Sequence, residues 1–391
     1  MITNNDGRIH VKMWLNEIED GALEQVKNIS NLPFAFHHVA IMPDCHQGYG
    51  MPIGSILATE RVVIPNAVGV DIGCGLCAVR TSLTDIDKET LKKIMGGSKE
   101  FKGGIRGIVP VGFNHQNKKE NESLLPDLSL GGEIVSQEFN NAREQIGTLG
   151  GGNHFIEIQK GDDGRVWVMI HSGSRNIGFK VAKHYNEIAV SLNEKYWSVV
   201  PKSWELAFLP VESQEGQDYI KEMNYCVGFA LANRKLMMER VLSVIGEFTG
   251  ATSEPMINIA HNYASLENQF GRNVWVHRKG ATKADEGLTG IIPGSQGTNS
   301  YIVTGKGNDD SFRSCSHGAG RKMGRKEAER SLNLQDEIAK LDALGVIHGI
   351  RNASDLDEAA GAYKPIDEVM ENQKYLVDIK VKLTPLAVIK G

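Results

Sequence analysis

The sequence predicts a mixed α/β fold (α+β), with mixed or antiparallel sheets flanked by helices in a single interwoven domain. Short apolar runs punctuated by glycine fill the first half, and helical periodicity marks a few longer stretches. Strands and helices are interspersed without strict strand–helix–strand alternation. The chemically suggestive residues are scattered from position 44 to 390. If they converge, residues 1–391 form one unit, although a length prior of roughly 100–200 residues per domain would suggest two or three.

Taken in chain order, the runs at 38–42, 55–58, 62–70 and 76–83 read as strands and tight turns, and 165–170, 256–260, 273–276 and 301–303 as further strands. Segment 177–197 has helical periodicity, and 217–248 has it most clearly. There Ile220, Met223, Val227, Leu231, Met237, Val241 and Val244 recur mostly at three- and four-residue steps. Such a stripe is ordinary core rather than a cofactor box. Segments 326–344 and 366–373 are amphipathic helices of the same kind. No Pro/Ser-rich linker, low-complexity tract or internal repeat divides the chain.

Composition narrows the function classes. Hydrophobic residues make up 41% and charged residues 23%, as in soluble globular proteins. The 43 Lys and Arg against 48 Asp and Glu give a net charge of −5, which excludes a globally basic nucleic-acid coat but not a local basic patch. Basic residues do cluster at His277-Arg278-Lys279 and at Arg321-Lys322 with Arg325-Lys326. Glycine is in excess, at 43 residues, which points to loops where backbone approaches a ligand closely. Five cysteines are too few and odd in number for a disulfide framework, so a reducing compartment, the cytoplasm, is expected. The polar N-terminus does not read as a signal peptide, and no apolar stretch is long enough for a membrane span.

The candidate site residues lie where apolar runs end. Residues 67–70 lead into Asp71-Ile-Gly-Cys74-Gly, a carboxylate and a thiol three positions apart, both competent metal ligands. Alone, the pair reads more readily as a turn aspartate and a buried cysteine. Gly150-Gly-Gly-Asn153-His154, His171 at the end of 166–170, and His261 after 256–260 add three histidines on rigid elements, so a metal site becomes as good a reading as hydrogen-bonded histidines. Cys74-Gly-Leu-Cys77 has the spacing of half a zinc ribbon or a redox pair, but no second C-x-x-C accompanies it. Pro293-Gly294-Ser295-Gln296-Gly-Thr298 and Ser316-His317-Gly318-Ala319-Gly320-Arg321 look like anion-handling loops, although neither is a Walker A motif. His317 either caps a turn or attacks phosphorus through a ring nitrogen.

Together these segments resemble the RtcB family of RNA-splicing ligases. The matching stretches are Met42-Pro-Asp-Cys-His-Gln-Gly, Val68-Gly-Val-Asp-Ile-Gly-Cys-Gly, Leu149-Gly-Gly-Gly-Asn-His-Phe, His171-Ser-Gly-Ser-Arg175, Ile259-Ala-His-Asn-Tyr, His277-Arg-Lys-Gly-Ala-Thr, Pro293-Gly-Ser-Gln-Gly, Ser316-His-Gly-Ala-Gly-Arg and Ile389-Lys-Gly. They occur in the family's order and cover nearly the whole chain. The resemblance implies a single RtcB-type domain and a GTP- and manganese-dependent ligase. It would join RNA ending in a 3′-phosphate or 2′,3′-cyclic phosphate to RNA with a 5′-hydroxyl. No membrane partner is expected, and an activating protein partner stays open.

Carried over by motif, Asp71, Cys74 and His154 would hold one Mn2+, and Cys74, His171 and His261 a second, with the Cys74 thiolate bridging. His317 matches the histidine that becomes guanylylated. Asn153, His154, Phe155, Ile156, Glu157, His261, Asn262, Pro293, Gly294, Ser295, Gln296, Ser300, His317, Gly318, Ala319, Gly320 and Lys390 match guanylate-contacting positions. Arg175, Arg321 and Tyr363 are further candidates, the last for stacking on guanine. Cys77, Cys45 and Gly324 depart from the family pattern, and Cys77 is left outside the site. Thiolate and imidazole ligands favour zinc over manganese on softness alone, so manganese rests on the resemblance. The rival readings are a binuclear metal phosphohydrolase with the same ligands and a non-catalytic RNA-binding metal protein.

Overall fold

The computed structural model describes residues 1–97 and 103–391. Two sheets dominate it. One contains, in spatial order, Ile257–Ala260, Gly75–Arg80, Val166–Ser172, Phe155–Gly161, Val377–Lys390, Ser300–Gly305 and Thr289–Ile292, each antiparallel to its neighbours. The other runs Ile2–Asn4, His10–Met13, Ala35–His46, Ile53–Thr59, Arg272–Lys279 and Asn262–Gln269. It is mixed, because His10–Met13 lies parallel to Ala35–His46 while its other pairs are antiparallel.

The seven-stranded sheet is buried on both faces, which is why its strands read as apolar runs rather than alternating patterns. Cys77, Val79, Ile156, Ile158, Val168 and Ile170 face one core, while Leu76, Ala78, Phe155, Trp167 and Met169 face the other. The first face is covered by the helix Gln214–Thr249, which contributes Met237, Met238, Val241, Val244 and Ile245. That helix begins where the Ser213 hydroxyl accepts the Gly216 N–H at 3.0 Å. It ends at Gly250, in the left-handed conformation.

Two segments differ from the sequence expectation. In 62–70 only Val62–Val63 is strand; Pro65, pre-set for the first helical position, opens the short helix Pro65–Val68. In 326–344 there are two helices, Arg325–Ser331 and Leu334–Ala343. Leu332 turns extended between them, and the Asn333 side chain accepts the Gln335 and Asp336 N–H groups to start the second.

One crossing sets up everything that follows. Ile257–Ala260 belongs to the seven-stranded sheet and Asn262–Gln269 to the six-stranded one. The single residue between them is His261.

Candidate active site at the seam of the two sheets

Antiparallel register gathers residues far apart in sequence. Gly75 pairs with both Ser172 and Ala260, and Phe155 pairs with both His171 and Lys390. The starts of two strands and the ends of three therefore meet at one end of the sheet. Cys74 and His154 immediately precede those starts, His171 and Lys390 lie at the ends, and His261 follows one.

At that end the Nε2 atoms of His154 and His171 each stand 3.3 Å from Cys74 Sγ, and all three residues are buried. His171 Nδ1 lies 3.2 Å from the Asn153 carbonyl oxygen. A carbonyl only accepts, so Nδ1 carries the proton and Nε2 offers a lone pair, as a metal ligand must. Asp71 Oδ2 is 3.1 Å from His154 Nε2. The His261 ring is 5.1 Å from that of His171, and its buried Nδ1 has no hydrogen-bond partner. The thiol and two imidazoles of Cys74, His154 and His171 offer ligand atoms within 4.8 Å of one another, with the Asp71 carboxylate beside His154, a set that suits a divalent transition metal. The crowding demands glycine at 173, since a Cβ there would lie 2.1 Å from Asp71 Oδ1.

The electrostatics agree with that reading. Burial, followed by the neighbouring imidazoles, takes His171 and His261 well below the ordinary histidine range, so both are neutral near pH 7. Burial, then the Asp71 charge, pushes the Cys74 thiol well up. Burial would also raise Asp71, but hydrogen bonding to His154 leads the contacts that bring it below the usual carboxylate range.

His317 faces this group from the loop after the strand Ser314–Ser316. Its ring centroid is 4.7 Å from that of His261. The fully buried Asp44 holds it: Oδ2 accepts from His317 Nδ1 at 2.6 Å, from the His317 amide at 2.9 Å and from the Gly318 amide at 3.3 Å. Burial opposes the Asp44 charge, yet His317 outweighs it and the carboxyl stays below its ordinary range. With Nδ1 committed to Asp44, Nε2 is the nitrogen left to react. The loop passes so close to Asp44 that a Cβ on Gly320, whose φ is +74°, would sit 2.2 Å from the Asp44 carbonyl oxygen.

A cleft of about 750 Å³ opens over these groups. Asp71, Cys74, Asn153, Phe155, Glu157, His171, His261 and Asn262 line one part; Pro293, Gly294, Ser295, Gln296, His317, Gly318, Ala319, Gly320, Arg321, Tyr363 and Lys390 line the rest. Glu157 is pushed up to about 8 by burial, so it can donate as well as accept a hydrogen bond at neutral pH. Four candidates are absent from the lining, among them His154 of the buried Cys–His–His group. The Ile156 side chain packs into the core behind the strand. Ser300 Oγ accepts the Gly294 amide at 3.1 Å and so supports the 293–296 loop. Arg175 Nε donates to Thr148 Oγ1 at 3.0 Å, bracing the glycine loop before His154. Cys77 points away, its Sγ 3.8 Å from the Arg234 carbonyl oxygen in the core.

Comparison with known proteins decides the kinship. The family profile described as tRNA-splicing ligase RtcB matches residues 25–130 and 127–391. The chain belongs to the RtcB family. It is 37% identical to the RNA-splicing ligase RtcB of Escherichia coli strain K12, over 97% of each chain. It is 32% identical to the tRNA-splicing ligase RtcB of Thermococcus kodakarensis, over 98% of this chain and 94% of the relative. The relative from Nanoarchaeum equitans, also called a tRNA-splicing ligase RtcB, is 33% identical over 95% and 92%. The family and the buried Cys–His–His group together make this chain an RNA ligase with a metal-binding centre.

Within this RtcB protein the structure adds residues that motif reading did not single out. Asp44 sits in the Met42-Pro-Asp stretch, but only the fold shows that it grips His317. Glu358 is a second: Arg321 Nη1 reaches it at 3.2 Å, Arg325 Nε at 2.9 Å, and the Tyr363 hydroxyl donates to it. Nothing in its local sequence, Asp355-Leu-Asp-Glu358, distinguishes it from a solvated acidic turn. Among the described residues no helix is long and apolar enough to cross a membrane.

Proposed function

We propose that the chain joins RNA ending in a 3′-phosphate or 2′,3′-cyclic phosphate to RNA beginning with a 5′-hydroxyl, using GTP and a covalent His317–guanylate, in the cytoplasm. The observation that carries this reading is the Asp44–His317 contact at 2.6 Å, which leaves Nε2 free beside a buried thiol–imidazole group. A hydrolase using activated water has no need of a histidine presented in this way.

His317 Nε2 attacks the α-phosphorus of GTP. The N–P bond forms as the bond to the bridging oxygen breaks, and pyrophosphate leaves. The ring keeps its Nδ1 proton, and the Asp44 carboxylate opposes the positive charge that develops on the imidazole. A 2′,3′-cyclic end is first opened by water, which breaks the bond between phosphorus and O2′ and leaves a 3′-phosphate and a 2′-hydroxyl; an oxygen of the RNA 3′-phosphate then takes the guanylate, regenerating His317. The 5′-hydroxyl oxygen attacks the activated 3′-phosphorus, loses its proton, and GMP departs. Asp71, Cys74 and His154 would hold one divalent ion, and Cys74, His171 and His261 a second, which together would neutralise phosphate charge when bound. Lys390 and the protonated Glu157, both lining the cleft, suit recognition of a nucleotide.

The test is incubation with α-labelled GTP and Mn2+, then with RNA carrying the stated ends. An acid-labile protein adduct that is lost in His317→Ala, followed by ligated RNA, is the expected result. Phosphate release without an adduct would support a phosphohydrolase instead. RNA binding with neither adduct nor turnover would support a non-catalytic metal protein.

A further inference from the structure

Two adjacent residues of the helix Gln214–Thr249, Asn233 and Arg234, are wholly buried behind the metal-binding group. Arg234 Nη1 donates to the carbonyls of Gly73 at 2.9 Å and Ser172 at 2.8 Å, and its Nε to Asn258 Oδ1 at 2.8 Å. Gly73 precedes Cys74, Ser172 follows His171, and Asn258 lies three residues before His261. Asn233 Oδ1 accepts the amides of Gly147 at 2.7 Å and Thr148 at 3.2 Å, at the head of the loop that carries His154. Its Nδ2 donates to the Gly173 carbonyl at 3.1 Å, and Gly173 is the residue packed against Asp71. Every segment that supplies a candidate ligand is thus tied to this one dipeptide.

A burial-driven core would not choose such residues. Among the described residues the hydrogen-bond partners of Arg234 are carbonyl and amide oxygens, none of them a carboxylate, and its Nη2 has no partner. An isolated buried charge is costly unless its donors are hydrogen-bonded. The polar contacts that Arg234 does make fall on backbone beside ligands and on Asn258, whose own Nδ2 is tied back to the Leu231 carbonyl at 3.0 Å.

We propose that Asn233 and Arg234 are positioning residues for the metal centre: together they fix the relative placement of the Asp71–Cys74, His154, His171 and His261 segments. The inference rests on the ligase reading only through the metal centre itself. It places the pair outside the cleft, acting through the ligands and not on substrate.

The experiment compares wild type, Arg234→Met, Arg234→Lys and Asn233→Ala by titration with Co2+, following equivalents bound, affinity and the cysteinate-to-cobalt absorption, alongside urea unfolding. Arg234→Met leaves the Gly73 and Ser172 carbonyls and Asn258 Oδ1 without their Arg234 donor, so it is expected to unfold at a lower urea concentration. Where it is still folded it should bind Co2+ roughly 10–100-fold more weakly, with a diminished cysteinate band. Arg234→Lys, which keeps the charge but not the fork, should recover little of that affinity. If Arg234→Met fails to fold, Asn258→Ala removes only the tie before His261 and should weaken one of two Co2+ equivalents. Unchanged affinity and spectrum in folded variants would overturn the brace and leave the ligase reading standing. Absence of Co2+ binding in the wild type would overturn the two-metal centre of the proposed mechanism, and the brace with it.

Discussion

The Asp44 carboxylate accepts hydrogen bonds from His317 Nδ1 at 2.6 Å and from two backbone amides of the same loop, so the tautomer and the direction of the ring are fixed together. Replacing the carboxylate by an amide removes the anion and disturbs the tautomer. Asp44→Asn should therefore slow formation of the His317 adduct roughly 10²–10⁴-fold. Metal loading, measured in parallel, should stay near wild type. The second consequence concerns pH. In the metal-free chain burial, then Asp71, raises the Cys74 thiol, whereas His171 and His261 are already neutral. Binding a divalent ion must then expel the Cys74 proton, so affinity should strengthen as pH rises, about tenfold per unit for one proton released. Calorimetry in buffers of different ionisation enthalpy measures that proton, and a pH-independent affinity with none released would contradict it. His317, Cys74 and the three histidines could be singled out from sequence because their motifs are local. Asp44 and Glu358 could not be given roles, since each acts across more than 250 or about 35 residues of chain respectively.

Among the elements, the long helix Gln214–Thr249 does more than cover a sheet. Its Glu222 carboxylate accepts the Ile134 and Val135 amides, both at 3.1 Å, at the start of the helix Glu133–Gln145. The Tyr185 hydroxyl, from the helix Arg175–Lys195, approaches the same carboxylate at 3.4 Å. One side chain thus joins three helices and supplies a cap that the Gly132 position has no side chain to give. Glu222→Ala should cost roughly 1–3 kcal/mol in urea unfolding, because two buried amides lose their acceptor. Bound metal equivalents should not change. The same scale shows what the sequence can and cannot reveal. Apolar runs at 38–42, 76–83 and 165–170 correspond to strands, because burial on both faces leaves a dense signal. The edge between strand and helix at Pro65 was hidden in one continuous apolar run. Val377–Lys390 was hidden too, since exposed charges at its start and a register shift beside Pro385 break any alternation.

For the molecule as a whole, the candidate site is built where two sheets meet at His261. The seven-stranded sheet delivers Cys74, His154, His171 and Lys390 to one end by antiparallel register. The Asp44 end of Ala35–His46, from the other sheet, carries His317 to the same place. The motifs single out candidate residues, and sheet register explains why positions from 71 to 390 line one cleft. We propose that 1–391 acts as one unit, since the centre has no complete half. The most direct test is a crystal grown with Mn2+ and examined by anomalous diffraction at the manganese edge. Two peaks roughly 3.5–4 Å apart are expected, both within bonding distance of Cys74 Sγ, with His317 Nε2 turned toward them. A single peak, or none within bonding distance of Cys74, would contradict that expectation.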